Sequence, residues 1–443
     1  MKKNLATKII VLMILGGGLI TTGLSCKLVA PSDQALLQPI NLSWWGTNED
    51  PAVISNLVAD YKLLHPNINI TYKRLRPEEF QTQLINALAE DRGPDIISIK
   101  NTEVNQYLSK ITPLPATTKM AYQSVKKTLG IKNELVTEIK NEPSITIGQL
   151  QNAFIDVVAS DVVVNNKIYG LPISVDTLVL FYNRRLFNNA NIPLPPNNWL
   201  DFQANVKKLT YQDSNGNLTQ SGAAIGLTAN VENYFDIVSL LMMQNGANMI
   251  NQGRSAFHLL PAGSTQDYNP GPEAIRFFTD FSNSSKEVYT WNDQFANSID
   301  AFASGKVAMM FGYQRDIQAL EAKRQGNLDY QIAPIPQIAG RPAVNIANYF
   351  VQTVSTKSKH INEAWNFIQF ISTQTEAKKY LDLTKKLTAL RSLVGNQLSS
   401  DQIGSFAGQL LTSKSWYHGK NYEVAQSIFA EMINSVINNT ANP

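Results

Sequence analysis

A run of alternating strand and helix signals between residues 40 and 99 constrains this chain more than any other feature. Ile40-Asn41-Leu42-Ser43-Trp44-Trp45 alternates like a strand with one buried face. Asp50-Pro51 supplies a side-chain cap and a proline at the first helical position. Val53, Leu57, Val58, Tyr61 and Leu64 follow at helical spacing up to Pro66. Ile68 to Tyr72 repeats the strand pattern, and Pro77 to Glu90 sets Phe80, Leu84, Ile85 and Leu88 on one helical face. Asp91-Arg92-Gly93-Pro94 breaks that helix ahead of a short buried-type strand, Asp95 to Ile99. A β-α-β-α-β order predicts a parallel, doubly wound sheet, because parallel strands need a covering crossover between them. Ligands of such sheets bind beyond the carboxyl ends of the strands, which here means Trp44 to Asp50 and Lys100 to Glu103.

The remaining chain continues the alternation. Residues 111 to 165 read as mostly helical and irregular, punctuated by Pro113, Pro115 and Pro143. Ile168 to Asn183 is a long apolar stretch, and Trp199 to Leu209 is a helix. Asn215-Gly216, between Tyr211 and Leu218, is a hairpin signal. The Asp213 to Asn217 segment distantly matches a calcium loop but lacks the glutamate at its twelfth position, which favours the hairpin turn. Further helices are expected near 231–245, 272–285 and 361–371, with one from Ser298 to Ser304 ending at Gly305. Val307 to Phe311 and residues 344–354 read as strands. A chain of 443 residues exceeds one ordinary core, so two α/β lobes are expected.

The N-terminus reads as an address. Lys2, Lys3 and Lys8 precede an apolar run from Ile9 to Ile20, too short to span a bilayer and of secretory length. The chain's single cysteine, Cys26, follows Gly23-Leu24-Ser25, and this resembles a bacterial lipobox with Cys26 as the lipidated residue. The expected organisation is a signal peptide at 1–25 and a tether at 26–38. An uncleaved anchor helix is the alternative. Lys and Arg number 38 against 35 Asp and Glu, and removing the three leader lysines leaves the two equal. Such a body carries no nucleic-acid footprint. One cysteine also excludes a disulfide scaffold.

Four later segments carry a family likeness. Lys167 to Phe187 (KIYGLPISVDTLVLFYNRRLF), Trp199-Leu200-Asp201-Phe202, Phe302 to Gly312 (FASGKVAMMFG) and Glu363 to Thr373 (EAWNFIQFIST) occur in this order. The chain from about residue 38 to 435 resembles family 1 extracellular solute-binding proteins of ABC importers. That resemblance implies a periplasmic-binding-protein-like α/β fold, two doubly wound lobes joined by crossing hinge strands. It places one lobe at 39–175 and 346–398 and the other at 176–345 and 399–443. It further implies a small-molecule ligand in the inter-lobe cleft, an ABC permease as partner, membrane contact through the lipid anchor only, and a monomer outside the cytoplasm. No cofactor, metal or catalytic residue is expected.

A sugar has apolar ring faces and a belt of hydroxyls, so its site wants aromatic platforms with planar carboxylate, carboxamide or guanidinium groups. Trp44 and Trp45 alternate, and Trp45 is taken as the one at the cleft edge. Asp50 is explained as a helix cap, whereas Glu49 has no such local duty. Asn101 lies in the loop after the third strand. Asp176 interrupts an apolar run where the chain changes lobes, as either a hinge hydrogen-bonder or a ligand acceptor. Trp291, Tyr313, Tyr349 and Trp416 complete the candidate ligand set. A non-sugar solute, a ligand-free adhesive scaffold and a two-carboxylate glycoside hydrolase are the competing readings. The familiar nucleotide-binding, zinc-protease and serine-hydrolase motifs do not occur.

Overall fold

The computed structural model describes residues 35–128, 132–261, 268–324 and 328–441. The leader and Cys26 lie outside these residues.

The opening pattern folds as its periodicity dictates. Strand β1 (Ile40–Gly46) buries Ile40, Leu42 and Trp44, with Trp44 Nε1 donating to Ser98 Oγ at 2.7 Å. Helix α1 (Pro51–Leu64) is capped by Asp50, whose Oδ1 accepts the Ala52 N–H at 2.8 Å. Strand β2 (Ile68–Arg74), helix α2 (Pro77–Ala89), strand β3 (Ile96–Lys100) and the short β4 (Ile111–Thr112) follow. β1 runs parallel to both β2 and β3.

The next segment departs from the helical expectation for 111–165. β5 (Thr117–Thr128) and β6 (Lys132–Pro143) form a long antiparallel hairpin, paired from Thr117↔Pro143 to Thr128↔Lys132. Its Lys- and Glu-rich strands lack the alternation that marks a half-buried strand, so the sequence carries no period-two signal there. Its base is packed. Thr118, Met120 and Ala121 are buried, and His65 Nδ1 donates to the Ala121 carbonyl at 2.8 Å. Helices α3 (Ile147–Ala153) and α4 (Asp156–Val162) then return to the lobe.

The long apolar stretch splits into β7 (Ser174–Thr177) and β8 (Val179–Asn183). Helix α5 (Trp199–Leu209) comes next, and the hairpin turn closes as expected, with Asp213 Oδ1 accepting the N–H groups of Asn215 and Asn217. Helix α6 (Tyr234–Asn245) is buried on nearly every side, and α7 (Pro270–Asp280) packs against it. Helix α8 (Ser298–Ala303) ends at Gly305. That residue has φ +73°, while the Lys306 N–H reaches back to Ala301 O at 3.1 Å. This left-handed turn is one that glycine adopts without a Cβ penalty. Strand β9 (Met309–Gly312), helix α9 (Asp316–Lys323) and strand β10 (Tyr330–Ala333) follow.

The expected strand over 344–354 is two, β11 (Asn345–Asn348) and β12 (Phe350–Ser355), which belong to different sheets. Helices α10 (Ile361–Ile371) and α11 (Gln374–Thr384), strands β13 (Leu387–Thr388) and β14 (Ser413–Lys414), and helix α12 (Tyr422–Ile437) complete the chain used below.

Two lobes result. One is built on the sheet β2-β1-β3-β12-β4, in which β12 is antiparallel to its neighbours. The other is built on β9-β8-β10 around an aromatic core that includes Trp199, Phe202, Phe281 and Phe311. Where the chain passes between them, short strands pair in the order β13-β7-β11-β14. Among the described residues no helix is long and apolar enough to cross a membrane.

His65 is 1% exposed, and burial pushes its imidazole below the ordinary value of 6.5. The folded protein therefore holds it neutral while the unfolded chain takes up a proton, so stability falls as pH drops below about 6.5. His65→Phe flattens that acid-side slope in denaturant unfolding measured across pH, whatever its effect on stability at neutral pH.

Candidate functional site

A groove of about 1170 Å³ lies between the lobes at the crossing strands. Its wall on the first lobe includes Asn48 from the β1–α1 junction and Lys386 beyond α11. The opposite wall includes Arg315, Gln318 and Tyr330, and Asp176 and Asn348 belong to the crossing strands between. Asn48 Oδ1 and Asn348 Oδ1 are buried carboxamide oxygens that accept no hydrogen bond. Such acceptors are costly to leave unpaired, and an N–H or O–H donor is what they lack.

Asp176 is a hydrogen-bonder at the crossing, the first of the two roles left open for it. It sits on β7 opposite Asn348 of β11, and its carboxylate accepts the N–H groups of Thr177 (2.9 Å), Gln314 (3.1 Å) and Arg315 (3.2 Å). The last two belong to the turn after β9, so this side chain ties the crossing to the second lobe. It also lines the groove. Burial pushes its carboxyl up to about 6, against the opposing pull of Arg315 and the N–H donors. The Arg315 guanidinium lies 4.2 Å from the Tyr313 ring centre and faces the same groove.

Most other candidates are engaged within the protein. Glu49 is 2% exposed. It accepts from Tyr380 Oη at 2.5 Å, from Asn48 Nδ2 at 2.8 Å, and from Lys386 Nζ at 3.0 Å to each oxygen. Asn101 donates to Asp161 Oδ2 at 2.8 Å and accepts the Tyr349 N–H at 3.1 Å. Tyr349 contributes to the groove lining, but its hydroxyl donates to Asp161 at 2.7 Å. Tyr313 is buried, its hydroxyl donating to Asp236 Oδ2 at 2.7 Å. Trp45 lies outside the groove lining, under Lys73 Nζ at 4.3 Å.

Two tryptophan platforms need correction. Trp291 is fully buried, stacked on Phe295 at 4.6 Å with Nε1 bonded to Asn230 Oδ1 at 2.8 Å. Asn230 also donates to the Asn292 and Phe295 carbonyls at 3.0 Å each, which docks this segment on the second lobe. Trp416 is 8% exposed and packs on Phe235 and Phe429 of α6 and α12, so its faces are spent on the second lobe's core.

Asp161, Arg315 and Lys386 were not legible. Asp161 collects Asn101, Tyr349 and His418 Nε2 (2.9 Å), and nothing in its helical neighbourhood marks it. The lobes also meet directly, through Asn105 Nδ2 on the His418 carbonyl at 2.7 Å and Lys100 Nζ near the Tyr422 ring at 5.7 Å. Among the described residues no cluster of His, Cys, Asp or Glu is placed to hold a metal.

Comparison with known proteins gives a consistent likeness. The family model for bacterial extracellular solute-binding proteins matches residues 45–378. A binding protein of Brucella abortus is 24% identical over 227 residues, covering 50% of this chain and 51% of that protein. The galactooligosaccharide-binding protein of Bacillus subtilis is 21% identical over 262 residues, covering 56% and 55%. These matches thus span about half the length of either relative. In three dimensions the chain is similar to the cyclic alpha-maltosyl-1,6-maltose binding protein of Arthrobacter globiformis. The TM-score is 0.70 at 15% identity, over 91% of this chain and 95% of that one.

Because Glu49 is buried and Lys386 is its cation, Lys386→Met leaves an unpaired buried charge. Urea unfolding of that variant is expected to show a loss of about 2–3 kcal/mol, discounted for the partial exposure of Lys386. Adding Glu49→Gln to it restores most of the loss.

Proposed function

The chain belongs to the bacterial extracellular solute-binding protein family, and on that premise we propose that it captures a sugar or oligosaccharide between its lobes for an ABC permease. The family is non-catalytic and works outside the cytoplasm. Lipidation at Cys26 would hold this member at the membrane, and we place the lobe boundaries near residues 175 and 346, at crossing strands, and near 398, between the crossing strands β13 and β14.

The observation that carries the sugar reading is the groove's chemistry. Two unpaired carboxamide oxygens, Asn48 Oδ1 and Asn348 Oδ1, stand with Asp176 and Arg315 among its walls. Hydroxyls both donate and accept, so a polyol can pair with carboxamide, carboxylate and guanidinium at once. The Bacillus and Arthrobacter relatives are named for oligosaccharide ligands, which supports the same class.

Capture follows from differential contact. Asn48 and Lys386 belong to one wall and Arg315 and Gln318 to the other, so a solute touches both only when the lobes are close. Its preference for that state is what shifts the population toward it. Asp176, bonded to the second lobe's backbone, lets closure and ligand contact act on one side chain.

Titration with maltooligosaccharides and galactooligosaccharides, read by thermal shift and small-angle scattering, tests this reading. At least one series is expected to raise the unfolding temperature and compact the protein. Arg315→Ala is expected to weaken that binding about ten- to a hundredfold, the cost of a lost charge-assisted hydrogen bond. Shifts with peptides or polyamines alone, or release of cleaved sugar, would overturn it. For ligand accepted by the ionised Asp176, affinity falls about tenfold from about pH 7 to about pH 5, and Asp176→Asn removes that dependence.

A further inference from the structure

A second cavity, of about 590 Å³, opens on the first lobe and shares no lining residue with the inter-lobe groove. Its floor is apolar: Phe154, Leu171 and Leu390 are each 5% exposed or less. Its mouth carries the exposed side chains of Asn152, Gln374 and Ser392, with Gln374 Oε1 accepting the Ser392 hydroxyl at 3.2 Å. No ionisable side chain lines it. Arg391, between two lining residues, is held by the Asp156 carboxylate and the Gln151 carbonyl.

One lining residue carries a buried polar atom with no protein partner. Ser372 is 8% exposed at the end of α10, and its hydroxyl makes no hydrogen bond. Serines in that position ordinarily bond back to a carbonyl one turn earlier. The neighbouring Thr373 does so, donating to Phe370 O at 2.8 Å, whereas Ser372 leaves its group unpaired.

These features select a ligand class. A charged molecule would lose its hydration here with no counter-charge to replace it. A wholly apolar one would leave the Ser372 hydroxyl unpaired. A neutral molecule with an apolar face for the floor and hydroxyls for Ser372 and the mouth meets both demands. The volume falls within the range of small-molecule sites, roughly 300–1000 Å³. We propose that this cavity is a second solute site, distinct from the groove, for a neutral polyhydroxylated molecule of mono- or disaccharide size.

The site's position gives such a ligand something to act on. Ile145 brings in the base of the β5–β6 hairpin, whose N–H is already held by Gln369 Oε1 at 2.9 Å. Leu390 follows β13, which pairs with β7, the strand that carries Asp176. Occupancy braces the hairpin base and the crossing strand from the side away from the groove lining.

The test uses the full chain with D-glucose, maltose and myo-inositol at millimolar concentration, read by saturation-transfer NMR and thermal shift. At least one probe is expected to bind, and its signal is expected to survive Asp176→Ala, which alters the groove and lies outside this cavity's lining. Ser392→Trp fills the mouth and is expected to abolish that surviving signal. Ser372→Ala removes an unbonded hydroxyl, so it is expected to leave the probe-free unfolding temperature unchanged while weakening the probe about tenfold. It also serves should the tryptophan variant fail to fold. Loss of all signal in Asp176→Ala, no binding of any probe, or equal binding by Ser372→Ala and the unaltered chain overturns the second site. Sugar binding in the groove can stand or fall separately from each of these results.

Discussion

The short paired strands at the lobe crossing are the constraint on which the rest of the molecule depends. β7 exchanges partners with β11 on one side and β13 on the other, and β11 also pairs with β14. Each strand has only two to four residues, so the junction holds the lobes in register with few ladder hydrogen bonds. A wide sheet would resist bending, whereas these strands can absorb a change of angle at a few backbone positions. Asp176 adds a side-chain tether that runs from this junction into the turn after β9.

Burial then decides which polar groups are left for a solute. A buried carboxylate must be paired, so Glu49 is taken up by Tyr380 and Lys386, and Asp161 by Asn101, Tyr349 and His418. Asp236 is claimed in the same way by Tyr313. These networks hold strand ends, helix ends and the 415–418 segment in place around the groove. What lines the groove is a mixed set: carboxamides together with four acidic side chains, Asp176, Glu321, Asp329 and Asp401, and four basic ones, Arg315, Arg324, Lys385 and Lys386. That balance suits a neutral, hydroxylated ligand, which needs many modest hydrogen bonds and no large buried charge.

Much of the framework was legible because its physics is local. The Asp50 cap, the helical face of Leu57 and Tyr61, the Asn215-Gly216 turn and the Gly305 stop each express a preference of a few adjacent residues. The hairpin was not, since its sequence carries no apolar stripe, and Thr118, Met120 and Ala121 at its root are buried by contacts distant in the chain. The site was legible in part. Asp176 stood out because a charge interrupted an apolar run. Arg315 did not, because one exposed arginine beside an aspartate resembles many others. Trp291 and Trp416 misled for a further reason: polar sequence neighbours do not report whether an indole's faces are covered by Phe295, Phe235 or Phe429.

From sequence alone came the alternating α/β order, the two-lobe size and the apolar run that Asp176 interrupts. Each rests on periodicity, capping or counting, which act over a turn or a strand. Only the tertiary structure decided which aromatic rings are core, which carboxylates are already paired, and where unpaired hydroxyl and carboxamide oxygens remain. Those outcomes depend on contacts between residues far apart in the chain, such as Glu49 with Lys386 and Asn101 with Tyr349. Pairing at such separations is set by how the lobes pack, and no local pattern encodes it.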